Sequence, residues 1–483
     1  MITDVALWGN PLGSGRADVR IEGGLIAEIA HRIRTGRRDE VIEGGAGLLL
    51  PGLHDHHVHL RSMAAQQSSV VVGPPEVSDR AGLARRLREA ARSPGTDWLR
   101  ATGYHESVAG ILDRDQLDIM VRDRPLRVQH RTGALWVLNS MALRLTGAEE
   151  LCDPGVERDE SGRMTGRLWH LDRWMASATR RTGGDLATGG DLATGGDLGE
   201  VGRRGAEMGI TGFTDATPDR SAQEASALVQ ASEEGSLPQR LHLMSSPWWP
   251  GTEADPPTRG KVTVGPVKVM LHDNDLPPIE DLVARVANAH QRGRAVAVHC
   301  ATQVQLALTM ALLDAAGAQR GDRIEHGALI PGSAIEDLGR MGVTVVTQPN
   351  FVVERGEQFR REVDRVDHDS LYRCATLQAH GVAVAAGTDA PFGSMDPWAA
   401  MRAAVSRSIP GSGVLGPDER VTRRAAVELF LGTADAPGVP RRVEVGGAGD
   451  LCLLKLAWAD IEELGADLVA LCIIDGRVVA DLR

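Results

Sequence analysis

Short apolar runs alternate with longer stretches of helical periodicity through the second half of this chain. Strand-like runs fall near Gly212–Asp215, Leu241–Ser245, Val267–Leu271, Val296–Cys300, Ile324–His326, Val343–Thr347 and Val382–Ala386. Between them, Ile279–Arg292 and Gln303–Ala316 place apolar residues three and four positions apart, the spacing of a buried helix face. A further strand precedes His57, which brings the number to eight. Eight strands alternating with helices describe an α/β chain folded as a TIM-like (β/α)8 barrel. Such barrels keep their chemistry at the C-terminal strand ends.

Two departures from that pattern are expected. Roughly 150 residues separate strand one from strand two, far more than a βα connection needs. The excess reads as an inserted subdomain over about 61–200, with apolar runs at Pro125–Val128 and Ala134–Leu138 and a helix at Asp79–Ala91. Placed after strand one it should cover the mouth and contribute to substrate selection. The termini form the second departure. Val5–Trp8, Asp18–Glu22 and Leu25–Ile29 at one end, and Asp450–Lys455 and Leu471–Val479 at the other, read as short strands. Together they predict a small discontinuous β-sandwich from 1–50 and 435–483, flanking a barrel domain of 51–434.

Polar residues interrupt the apolar runs at particular points. In Leu53-His54-Asp55-His56-His57-Val58-His59, alternation puts His57 and His59 on one face of a strand end. Two adjacent imidazoles are a ready pair of metal ligands, although a bare His-x-His is also a common surface turn. Lysine supplies a second signal. Of 53 basic residues only Lys261, Lys268 and Lys455 are lysines, and Lys268 lies inside the apolar run Val267–Leu271. Burial lowers a lysine pKa and frees a neutral amine, which an arginine cannot provide. His299, His326 and Asp389 each end another apolar run. Five strand ends thus offer His-x-His, Lys, His, His and Asp in order, facing one mouth.

Composition narrows the function classes. The net charge is −12, with no basic stripe, which argues against nucleic acid as a partner. No apolar run reaches 18 residues and no charged-then-apolar leader opens the chain, so a cytoplasmic protein without a membrane partner is expected. Five dispersed cysteines without a CxxC suit a reducing compartment. Alternation points Cys300 away from His299, into the core. A six-residue unit, Thr182–Ala187, recurs at Thr188–Ala193 and Thr194–Gly199. It reads as an expanded flexible loop, since one carboxylate per unit is thin coordination for calcium.

With these residues in place, the chain resembles the amidohydrolase superfamily, and most of all its branch of N-substituted formamide deformylases, which carry a long insertion after strand one. The matching pieces are Pro51-Gly52 leading to Asp55-x-His57-x-His59, Leu117-Asp118, Arg124-Pro125, Asn139-Ser140-x-Ala142-Leu143 and Gly209-Ile210-Thr211. They continue with Val267-Lys268-Val269, Val298-His299, Arg323-Ile324-Glu325-His326, Gln348-Pro349 and Gly387-Thr388-Asp389-Ala390-Pro391. The resemblance implies a barrel with a β-sandwich built from both ends, and a small-molecule substrate. It implies two zinc ions, other divalent metals being compatible: His57 and His59 on one, His299 and His326 on the other, and carboxylated Lys268 bridging them. Asp389 would be ligand and general base. A metal-activated hydroxide would then cleave the C–N bond of an amide, N-formyl or cyclic amide substrate. Two alternatives stay open: a mononuclear zinc deaminase of a heterocycle with Lys268 unmodified, and a metal-free homologue acting as a binding protein.

Departures from the branch bear on substrate. His54 and His56 stand where it often has isoleucine and a small residue, Ala301-Thr302-Gln303 follows Cys300 in place of Ile-Gly-Asp, and Ala134 replaces a histidine after Gly133. His130, Arg131, Trp136, Asn139 and Gln348 are candidate substrate contacts, with Tyr104, His105, Asp215 and His272 behind them. Packing or loop hydrogen bonding competes with that reading for each. Trp248-Trp249 suits a pocket wall or a subunit contact, and a homodimer is the commonest assembly. A helix N-cap role competes with catalysis at Asp389, because Asp before Ala-Pro is a capping signal.

Overall fold

The ring of parallel strands runs in sequence order: β1 (Leu53–Val58), β2 (Ile210–Asp215), β3 (Arg240–Ser245), β4 (Val262–Val269), β5 (Val296–Cys300), β6 (Arg323–His326), β7 (Thr344–Thr347) and β8 (Ala383–Ala386). This is a computed structural model, and it describes residues 1–9, 15–37, 39–92, 98–182, 197–218, 220–245, 260–273 and 276–483. Each strand is buried on both faces, which is why the runs read as almost continuously apolar. The ring nearly closes between β8 and β1. There the Asp389 amide donates to the His57 carbonyl at 2.8 Å and the His59 amide to the Ala390 carbonyl at 2.8 Å. Gly387 permits that approach, since a Cβ at this position would lie 2.5 Å from both the Cβ and the amide of His57.

Strands from both ends of the chain build a second sheet. Its order is Arg477–Asp481, Val469–Ile474, Leu451–Leu454, Leu48–Pro51, Ile2–Leu7, Arg16–Glu22 and Leu25–Ala30, with Ile42–Glu43 beside Ile2–Leu7. These strands make the expected small sandwich. The apolar run Leu48–Leu50 belongs to it, paired antiparallel with Leu451–Leu454, and Gly52 separates it from β1.

By contact the chain divides into two compact units, Met1–His59 with Gly199–Arg483, and Leu60–Leu198. The second has its own sheet, ordered Val156–Arg158, Met164–Trp169, Leu135–Leu138, Leu126–His130, Leu99–Tyr104 and Val70–Val71. Alternation within one strand explains its two cores. Leu135 and Val137 pack with Leu83, Leu87 and Leu117, while Trp136 and Leu138 pack with Leu143 and Leu168. Residues 183–196 of the repeat, and Trp248-Trp249, lie outside the described residues. Among the described residues no helix is long and apolar enough to cross a membrane.

Candidate metal centre

Four imidazoles line up at the C-terminal end of the barrel. His59 and His57 meet edge to face with ring centroids 5.5 Å apart; His57 lies 4.7 Å from His326, and His326 4.6 Å from His299. Asp389 Oδ1 sits 3.2 Å from His59 Nε2 and 3.5 Å from His57 Nε2. Lys268 projects from β4 at 2% exposure, with Glu325 and Asp389 as its charged neighbours and His57, His299 and His326 within its field. All six residues singled out in the sequence therefore converge.

Backbone geometry re-aims two of them. His326 (φ 68°), the last residue of β6, and Asp389 (φ 56°), just beyond β8, adopt left-handed conformations. Such positions cost on the order of 1–3 kcal/mol and persist where the surroundings over-determine them. Asp389 caps no helix: the next one, Pro397–Ser406, is capped by Asp396.

Hydrogen bonds behind the imidazoles set which nitrogen faces the centre. His57 Nδ1 donates to Glu325, an acceptor when ionised, which leaves the Nε2 lone pair pointing inward. Glu325 is held in turn by Arg323, whose Nε donates at 2.7 Å while Nη2 donates to the His56 carbonyl at 2.7 Å. His326 Nδ1 donates to Gln348 Oε1 at 2.8 Å, and His59 Nδ1 pairs with Thr217 Oγ1 at 3.2 Å. Asp55 ties the seam instead of joining the centre, accepting from the Thr388 amide at 3.0 Å and its hydroxyl at 2.6 Å.

Electrostatics put these groups in ligand form. Burial pushes His57, His299 and His326 well below the usual imidazole range, so they are neutral. Burial lowers Lys268 as well, against the pull of Glu325 and Asp389, and favours the amine. For Asp389 burial acts upward, yet the His59 and His57 imidazoles beside it bring its carboxyl below the ordinary value. His57 Nε2 and Lys268 Nζ make no hydrogen bond although each is buried, and Asp389 Oδ1 has the His59 and His57 Nε2 atoms beside it. Polar atoms left this way are expensive unless something else satisfies them. The donors of His57, His59 and Asp389 lie within 4.8 Å of one another, and nitrogen and carboxylate donors so grouped fit a divalent metal ion.

The remaining sequence candidates have other surroundings. Gln348 supports His326 from behind. In the inserted unit the Asn139 side chain is used up by the fold: it accepts from the Leu126 and Ala142 amides and donates to the Val121 and Arg124 carbonyls. Trp136 Nε1 donates to Asp172 at 2.7 Å, the Arg131 amide to the Tyr104 carbonyl at 2.9 Å, and His130 Nε2 lies 3.0 Å from Glu106. Asp215 is paired with buried Arg220. Cys300 is a core thiol, pushed up to about 12 by burial. Sequence reasoning assigned no role to Glu325, Arg323 or Thr217. The signal for the first two was present: Arg323-x-Glu325 puts two charges on one face of an apolar strand.

Comparison with known proteins shows the family and the fold. A model of the amidohydrolase family matches residues 40–480. The Bacillus subtilis (strain 168) protein YtcJ is 25% identical over 444 residues, covering 80% of each chain. The N-substituted formamide deformylase of Arthrobacter pascens is 24% identical over 471 residues, covering 87% of this chain and 86% of that one. Among solved structures, an uncharacterised metal-dependent hydrolase of Pyrococcus horikoshii OT3 superposes with a TM-score of 0.71 at 17% identity, over 96% of this chain and 98% of that one.

Proposed function

The chain belongs to the amidohydrolase family, and from that premise we propose that it hydrolyses a carbon–nitrogen bond in an amide, N-formyl or cyclic amide with a binuclear zinc centre. The observation that carries this reading is the pair of buried, unpartnered nitrogens on His57 and Lys268, set with the Asp389 carboxylate along a row of four imidazoles. His57 and His59 would hold one ion, and His299 and His326 the other, with Asp389 as a further ligand. Lys268 would serve both as a carbamate: its neutral amine nitrogen would bond to the carbon of carbon dioxide and lose one proton, leaving two oxygens as ligands.

A divalent ion in this site supplies Lewis acidity, polarising the substrate carbonyl and lowering the pKa of water from about 15.7 to about 7. Asp389, kept ionised by its imidazole neighbours, takes a proton from the attacking water and passes it to the leaving nitrogen. Glu325 and Gln348 hold His57 and His326 in the tautomer that presents Nε2. Similarity to an N-substituted formamide deformylase supports N-formyl compounds as the first substrates to try.

His57, His59 and Asp389 alone bring three donors within 4.8 Å of one another, which favours a second reading, a mononuclear deaminase with Lys268 unmodified. A panel of N-formyl amines, acyl amides, cyclic amides and aminated heterocycles, assayed with zinc-loaded and chelator-treated protein, separates the two. Metal-dependent cleavage of the amide or N-formyl compounds is expected. Ammonia release from the heterocycles alone would replace this reading with the second.

A further inference from the structure

The inserted unit holds another convergence of metal-competent side chains, which the barrel chemistry does not use. We propose that His105, Glu106 and His130 form a binding site for a divalent transition-metal ion of the zinc type. Strands Leu99–Tyr104 and Leu126–His130 run parallel with Tyr104 opposite His130, so His105 and His130 leave adjacent strand ends together. Their rings are 5.8 Å apart. Nε2 of His130 lies 3.0 Å, and Nε2 of His105 3.7 Å, from the same oxygen, Glu106 Oε2.

Each imidazole is fixed by the same local device. His105 Nδ1 contacts the Ser107 hydroxyl at 2.8 Å and accepts from the Ser107 amide at 3.1 Å. His130 Nδ1 contacts the Thr132 hydroxyl at 2.8 Å and accepts from the Thr132 amide at 3.3 Å. Two His-x-Ser/Thr turns thus aim two Nε2 atoms at one carboxylate.

Without an ion, each Nδ1 accepts and Nε2 carries the proton, which His130 donates to Glu106 while His105 Nε2 stands 3.7 Å from it. On binding, the proton of each imidazole leaves Nε2 and reappears on Nδ1, which then donates to the hydroxyl already 2.8 Å away. No net proton is released. The Ser107 and Thr132 amides would exchange Nδ1 for water as acceptor, both residues being exposed. Two imidazoles and a carboxylate are an established zinc donor set. Bonds of about 2.1 Å in a tetrahedral site put donors about 3.4 Å apart, close to the 3.0 and 3.7 Å found here. The His130 hydrogen bond holds the Glu106 carboxyl down at about 2, so it is ionised at neutral pH. Its exposed side leaves an entry path.

The test uses the full-length protein, stripped of metal, reloaded with Zn2+ alone, freed of excess ion and analysed for zinc per chain. His105→Ala/His130→Ala should lose about one ion relative to the unaltered protein, and His57→Ala/His326→Ala should keep about one that the four-fold variant lacks. Glu106→Gln, an isosteric change at an exposed position, avoids any question of folding and should weaken that ion's binding by about tenfold or more. Unchanged zinc content and affinity in Glu106→Gln and in His105→Ala/His130→Ala would overturn the proposal and leave a hydrogen-bonded cluster only.

Discussion

His57 and Glu325 are 268 residues apart in the chain, yet they meet at the centre of the barrel, imidazole Nδ1 against carboxylate, with neither exposed by more than 1%. The contact fixes which nitrogen of His57 is free. Glu325→Gln keeps the shape and removes the charge. Metal affinity at the barrel centre should fall about 10–100-fold, measured by competition with a chelator. Glu325→Ala does something different, because it strands Arg323 at 2% exposure. That should destabilise the protein by about 3–5 kcal/mol in denaturant unfolding.

Lys261 and Lys455 donate to main-chain carbonyls at 3.1 and 2.8 Å, whereas buried Lys268 has no hydrogen-bond partner. A group so placed opposes folding until something engages it. Lys268→Met retains the length and discards the amine. Metal-free Lys268→Met should melt at or above the temperature of the metal-free parent, while zinc-loaded protein binds about one ion fewer. Calorimetry and elemental analysis read the two effects. A lower melting point in the metal-free variant would show that the amine serves the fold.

Asp389 sits at φ 56°, a conformation that asparagine tolerates better than most residues. Asp389→Asn should therefore fold normally. Loss of the proton acceptor should reduce kcat by about 10²–10⁴-fold with a smaller change in KM. Steady-state kinetics on whichever amide the panel identifies provides the check.

Asn139 makes four hydrogen bonds at zero exposure within the inserted unit. Asn139→Ala leaves two amides and two carbonyls short of a partner, and should cost about 2–4 kcal/mol. Hydrogen exchange should rise around Val121–Ala142 while the zinc content of the barrel is unchanged.

The barrel was legible because its strands are buried on both faces and its helices on one, so period and spacing carry the topology directly. Gln303–Ala316 is a helix over the same residues that its periodicity marks out. Strand β4 begins five residues before the expected run, at Val262, where Thr263 and Gly265 break the apolar signal. The six convergent residues were legible because His299, His326 and Asp389 end apolar runs, Lys268 interrupts one, and His57 and His59 alternate at a strand end. What their supports hold was not. Glu325 and Gln348 stand out in the sequence, but they act through partners supplied by other strands, and one-dimensional spacing does not encode which strand end lies beside which. Asn139 and Trp136 show the opposite limit: a polar residue in an apolar stretch is conspicuous in sequence whether it serves a substrate or only the fold.

The proposed chemistry requires a metal centre at the barrel mouth, and the number of ions bound there decides it. Zinc-loaded protein prepared in bicarbonate buffer should carry about two more ions per chain than His57→Ala/His326→Ala treated identically. Equal ion counts in the two proteins, with the variant folded by circular dichroism, would contradict it.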